Sequence, residues 1–252
     1  MKFERNKQFD AQFNEVLGLR WYPYVGKHFG ENGARVMVYA HNIPVNSARY
    51  EEETRKQADK AAWADCIEDY TYCQEKWTNA FRYFIKAAVG LKSNYGEDSE
   101  PSIIQRVDSF VEGIAYLNFI QELVKSDSAM AHATEEQIER SKKVNHEILR
   151  ILGITHCICW GKHTYQYVCS LEGFKVLGEK ELGKTGFSSC ILEVGGGRTM
   201  QCLRIYHPSM PGGFDPLSET TQSIISRFLG TGEAEKQNRV VGGSTLPVPT
   251  PP

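Results

Sequence analysis

Arg35-Val-Met-Val-Tyr-Ala40 is a run of β-branched and apolar residues between the turn-like Glu31-Asn-Gly33 and the polar stretch His41-Asn-Ile-Pro44. A short apolar run bounded by such breakers predicts a buried strand whose carboxyl end opens into a polar loop. Ile154-Thr-His-Cys-Ile-Cys-Trp160, closed by Gly161, predicts a second strand of the same kind. Between the two, a chain rich in Glu, Lys, Ala and aromatics predicts helix over 48–91, 102–125 and 134–152, with a turn over 94–101. The last of these helices opens on Thr134-Glu-Glu-Gln137, a capping-box pattern. After Gly161 the pattern predicts a short helix over 162–169, then strands at 174–177, 189–194 and 200–206. Gly195-Gly-Gly197 reads as the hairpin turn between the last two strands. It does not read as a phosphate loop, because no Gly-Lys-Ser/Thr and no helix follow it. A final helix is predicted over 218–229, with Ser218 as its cap. Buried strands separated by helices predict one α/β domain over residues 1–230, with helices on both faces of its sheet. Ligands of such sheets sit beyond the carboxyl ends of strands, which points to the loops at 41–46 and 207–214. Residues 231–252 hold no aromatic and four of the ten prolines, so a disordered tail is expected there.

Composition narrows the classes. A net charge of -2 excludes a uniformly basic nucleic-acid coat but leaves room for a local basic groove. No apolar run reaches the roughly 18 residues of a membrane span. The charged start MKFERNKQFD is unlike a secretory signal, so a soluble cytoplasmic protein is expected. The cysteines (Cys66, Cys73, Cys157, Cys159, Cys169, Cys190 and Cys202) are odd in number and include no Cys-x-x-Cys pair. Zinc and iron–sulfur sites need thiolates at short, repeated spacings, so buried reduced thiols, no metal and no cofactor are expected. On a strand, Cys157 and Cys159 share one face.

Four segments taken together carry a resemblance. Val36-Met-Val-Tyr-Ala-His-Asn-Ile-Pro44 resembles the first motif of the uracil-DNA glycosylase superfamily, in which a buried strand delivers a small residue and then a polar pair ending in Asp or Asn. Tyr116-Leu-Asn-Phe-Ile-Gln121 resembles the middle motif, whose asparagine reads the flipped base. Cys157-Ile-Cys-Trp-Gly161 is similar to the strand that ends in Trp-Gly, and Leu203-Arg-Ile-Tyr-His-Pro-Ser-Met210 to the last motif, a strand followed by His-Pro-Ser. The four stand in the family's order and span residues 36–210. Ala40 replaces the family's glycine, and His41-Asn42-Ile43 stands in place of the Gln-Asp-Pro of the orthodox uracil enzymes. The cysteine spacing does not fit the iron–sulfur branches.

The resemblance implies a three-layer αβα sandwich with a central, mostly parallel sheet, and a DNA partner for a chain acting as a monomer. It also implies site residues. Asn42 orients the attacking water through its carbonyl oxygen, since an amide has no useful titration near neutrality. His207, neutral, donates to the departing base as negative charge develops. Asn118 pairs with the edge of an extruded pyrimidine. His41 lies at the base or at DNA, and an aromatic, Tyr50 first and Trp63 second, stacks on the base. Met210 and Phe214 are candidate apolar wedges beside Pro208 and Ser209, and Lys162 and His163 candidate phosphate contacts. Trp21-Tyr-Pro-Tyr-Val-Gly26 belongs to the pocket mouth or to the core.

No lysine is close to the motif centres in sequence, which favours plain hydrolysis that leaves an abasic site. The altered first motif leans toward a modified base, such as glucosylated hydroxymethylcytosine in phage DNA, removed as a defence. Uracil repair and a non-catalytic DNA-binding module on the same fold are the alternatives. An ordinary α/β hydrolase is disfavoured, because no Gly-x-Ser-x-Gly elbow follows a strand.

Overall fold

A computed structural model describes residues 3–56, 59–126, 132–183, 186–210 and 212–230. The expected tail at 231–252 lies outside the described residues. Nine strands are formed among them: β1 (Tyr24–Val25), β2 (Val36–Ala40), β3 (Ile43–Val45), β4 (Ile114–Asn118), β5 (Leu123–Lys125), β6 (His156–Trp160), β7 (Lys175–Glu181), β8 (Ser188–Glu193) and β9 (Thr199–Ile205). The helices are α1 (Asp10–Asn14), α2 (Tyr50–Lys56), α3 (Ala62–Asp65), α4 (Ile67–Tyr72), α5 (Asn79–Ala88), α6 (Pro101–Glu112), α7 (Glu135–Leu152), α8 (Lys162–Cys169) and α9 (Glu219–Phe228).

Seven strands make one sheet in the order β1-β4-β2-β6-β9-β8-β7. Its centre, β4-β2-β6-β9, is parallel. β1 runs antiparallel along β4, and β9, β8 and β7 form an antiparallel meander at the other side. The sheet is therefore mostly parallel.

Alternation along the central strands explains the layers. Val36, Val38, Ile114, Tyr116, Ile158, Trp160, Leu203 and Ile205 pack into one core with Phe81, Phe84 and Ile85 of α5, Val107 and Val111 of α6 and Ile225 of α9. Met37, Tyr39, Ala115, Leu117, Cys157, Cys159 and Cys202 face a second core with Phe13 of α1, Val144 and Ile148 of α7 and Val168 of α8. Strands buried on both faces read as unbroken apolar runs, which is why Val36–Ala40 and Cys157–Trp160 were legible. The arrangement is mixed α/β and compatible with a three-layer sandwich.

Several elements differ from the sequence reading. Helix predicted over 102–125 stops at Glu112. The Gly113 N–H donates back to the Phe110 carbonyl, and the next residue enters β4 between β1 and β2. The stretch at 48–91 is broken into α2, α3, α4 and α5. Ile43–Val45, expected as loop, pairs in parallel with Leu123–Lys125 in a separate two-stranded sheet, where Pro44 costs no central ladder bond. By contrast, the capping box closes as expected: the Gln137 N–H donates to Thr134 Oγ1 and the Thr134 N–H to Gln137 Oε1.

At the far edge, every residue of β7 is exposed. Val176 pairs with Leu192 and Gly178 with Ile191, so Leu177 is an extra residue, a bulge. No helix among the described residues is long and apolar enough to cross a membrane.

Candidate functional site

The parallel centre of the sheet brings the four resembling segments to one end. β2 releases His41 and Asn42, β4 ends on Asn118, β6 releases Gly161, Lys162 and His163, and β9 runs through Tyr206 into His207. Ala40 and Asn118 are register partners, as are Trp160 and Ile205. Main-chain bonds tie the loops together beyond the strands: Phe119 N–H to Ala40 O at 2.9 Å, Ile120 N–H to His41 O at 2.9 Å and Gly161 N–H to Ile205 O at 2.8 Å. Gly161 has a φ of +89°, a left-handed turn that glycine permits and that starts α8 directly after the strand.

Asn118 is 9 % exposed, and among the described residues its side-chain amide has no hydrogen-bond partner. The loop behind it is fixed by buried polar groups. Gln121 Nε2 donates to the Asn118 carbonyl at 3.0 Å, the Gln121 N–H to Ser141 Oγ at 3.0 Å, and Asn145 Nδ2 to the Phe119 carbonyl at 2.7 Å. An amide held in this way, with its donor and acceptor unspent, suits a ligand that offers both.

Asn118 lines a small surface cleft with Trp21, Tyr24, Trp63, Tyr70 and Tyr116 among its walls. Trp21 Nε1 and the Tyr24 hydroxyl are buried and unpartnered among the described residues. Trp21 is both core and cleft wall, since it is 2 % exposed and packs against Trp63 at 5.6 Å between ring centres. Asn42 and His207 do not line this cleft; Asn42 follows β2, beside β4, and His207 follows β9, with β6 between it and β2.

His207 packs edge-on against the buried Trp160, 5.7 Å between ring centres at 84°. Its Nδ1 accepts the Ser209 N–H at 3.3 Å and lies 2.9 Å from Ser209 Oγ. A backbone N–H can only donate, so the neutral ring carries its proton on Nε2. Burial pushes the ring's pKa below the ordinary histidine value, which keeps it neutral. A neutral Nε2–H donor results.

His41 is half-buried. Its Nδ1 lies 3.1 Å from Thr164 Oγ1 of α8, and its ring stacks on Tyr167 at 5.9 Å and 25°. Its pKa is lowered to about 4, first by burial and then by His163, His207 and His132. Lys162 and His163 are exposed in the first turn of α8.

Other expectations fare unevenly. Tyr50 does not line the cleft; Lys125 Nζ sits over its ring, 4.6 Å from the centre. Trp63, the second choice, does line it. Phe214, expected as a wedge, is 7 % exposed and stacks on Phe187 at 6.4 Å and 12°. Burial of a large ring in the core outweighs its display, so Phe214 is a packing residue here. Met210 remains 51 % exposed, Ser209 is exposed and Pro208 is buried. Cys157, Cys159, Cys190 and Cys202 are buried, as expected, whereas Cys66 is exposed.

Thr164 and Tyr70 escaped the sequence reading. Each lies far along the chain from the motif residue it joins, so no spacing rule connects them. No family model, curated protein or solved structure matches this chain, so the resemblance rests on the four segments and their order.

Proposed function

We propose that this protein is a monofunctional DNA glycosylase that flips out a non-standard pyrimidine and hydrolyses its N-glycosidic bond, leaving an abasic site. The observation that carries the reading is the gathering of Asn42, Asn118 and His207 at the carboxyl ends of the parallel strands, with His207 in the Nε2–H form. Bond cleavage makes an oxocarbenium-like sugar and an anionic base. His207 meets the developing base anion with a neutral donor, where an uncompensated buried imidazolium would be costly. Asn42 accepts a hydrogen bond from the attacking water, which suffices for a dissociative transition state. Asn118 offers an acceptor and donors to the base edge.

The same reading names a modified cytosine, such as a glucosylated hydroxymethylcytosine of phage DNA, as the substrate. It is supported by the altered first motif, with His41-Asn42-Ile43 in place of Gln-Asp-Pro.

The test is incubation of the purified chain with unmodified, uracil-containing, hydroxymethylcytosine-containing and glucosylated phage DNA, followed by alkali and a gel. Cleavage restricted to the glucosylated DNA is expected. Cleavage of uracil DNA alone would replace the defence reading with repair. Binding without cleavage anywhere would leave a DNA-binding module.

A further inference from the structure

On the sheet face opposite the Asn118 cleft, five thiols from four elements converge. Cys157 and Cys159 come from β6, Cys202 from β9, Cys190 from β8 and Cys169 from α8. Cys202 is the register partner of Cys157 on one side and of Cys190 on the other. Cys159 Sγ is 3.6 Å from Cys157 Sγ and 3.7 Å from Cys202 Sγ, and Cys169 Sγ is 3.6 Å from Cys190 Sγ. The sulfurs of Cys157, Cys159 and Cys202 all lie within 4.8 Å of one another, and so do those of Cys169, Cys190 and Cys202.

Four sulfurs around an ion at about 2.3 Å stand about 3.8 Å apart, close to the spacings seen here. Sulfurs in mutual contact leave room for a single ion between them and not for a multi-iron core. Tyr39, the register partner of Cys159 on the neighbouring strand, is fully buried on the same sheet face.

We infer that Cys157, Cys159 and Cys202 form a three-thiolate binding site for a thiophilic closed-shell ion, Zn²⁺ or Cu⁺. Each thiol that ligates releases its proton to solvent as its sulfur–metal bond forms, so no oxidant is needed. All-thiolate donors in a dry core select soft ions over Mg²⁺ or Ca²⁺. The site is structural, being on the other face of the sheet from Asn118.

The full chain, unfolded under reducing conditions and stripped of metal, is refolded with Co²⁺ as a probe of the zinc arm, with Zn²⁺, with Cu⁺ held by a competing chelator, or with no ion. A thiolate-to-cobalt charge-transfer band, about one bound ion per chain by mass spectrometry and a melting temperature raised by about 5 °C or more are expected in the zinc arm. If only the Cu⁺ arm shows uptake and a raised melting temperature, the ion is cuprous. Cys159→Ala and Cys202→Ala should lose the bound ion, while Cys66→Ala, changed at an exposed thiol, should keep it. Should either core variant fail to fold, the wild-type metal count and melting shift still decide. Metal content near zero in every arm, or a mass loss of two hydrogens without ion uptake, would overturn the site, the latter in favour of a disulfide. None of these readouts depends on glycosylase activity.

Discussion

His207 and the residue two positions beyond it make a local device: Ser209 fills Nδ1 and so commits the proton to Nε2. Replacing His207 with Ala removes that donor and should lower base excision by about 100- to 1,000-fold while leaving DNA affinity nearly intact. Asn42→Ala should fall similarly. Alkali-labile sites and a mobility shift measure the two quantities; unchanged cleavage in both variants would remove these residues from the chemistry. His41 makes a separate statement about stability. Its folded pKa is about 4 against an ordinary 6.5. Between those values the unfolded chain takes up a proton that the folded ring refuses. Stability is therefore full above pH 6.5 and declines as pH falls toward 4, by about 1.4 kcal/mol per pH unit. In His41→Asn, melting temperatures between pH 6.5 and 4 should fall less steeply than in the wild type; parallel curves would show that the ring is not the sensor. At this scale His-Pro-Ser was legible, because the Ser209–His207 contact is local. The Thr164 contact of His41 was not, because it joins residues 123 positions apart.

Elements were read best where burial is two-sided. β2 and β6 announce themselves as apolar runs, and α7 by its capping box. β4 hides because only Gly113 separates it from α6, so the stretch through Asn118 reads as a continuation of the helix. Its strand state is settled by pairing with β1 and β2, which no local pattern contains. The consequence reaches the site: Asn118 stands at a strand's end rather than on a helix face. The same limit applies to the stacking aromatic. Placement in the cleft favours Trp63 over Tyr50, whose ring is covered by Lys125. Trp63→Ala should reduce kcat/KM for excision by about tenfold or more, in line with about 1–3 kcal/mol for a base–aromatic stack. Tyr50→Ala should change it little. The reverse ranking in steady-state kinetics would mean that the base lies nearer α2.

At the scale of the whole molecule, composition and pattern gave the class, a mixed α/β sheet with helices, but not the strand order. Order and the cysteine convergence come from register between strands far apart in sequence, as Cys157 against Cys202 shows. A net charge of -2 also hides where a nucleic acid would lie, because local cations are averaged away. With DNA across the strand ends, Lys162→Ala should weaken binding alike for all sequences and make the slope of log affinity against log salt shallower by about one. An unaltered slope in a filter-binding titration would move the backbone path away from α8. The opposite boundary of the sheet raises a different matter. β7 displays Val176 and Leu177 to water and, among the described residues, has no strand on its outer side. The surplus Leu177 throws that row out of step, and Lys175 and Lys180 set charge along it. Deleting Leu177 would restore an even ribbon able to accept an identical ribbon from another molecule, and light scattering at high concentration should then rise with time while the parent solution stays clear. What looks like an irregular pleat is, on this account, what keeps the protein from sticking to itself.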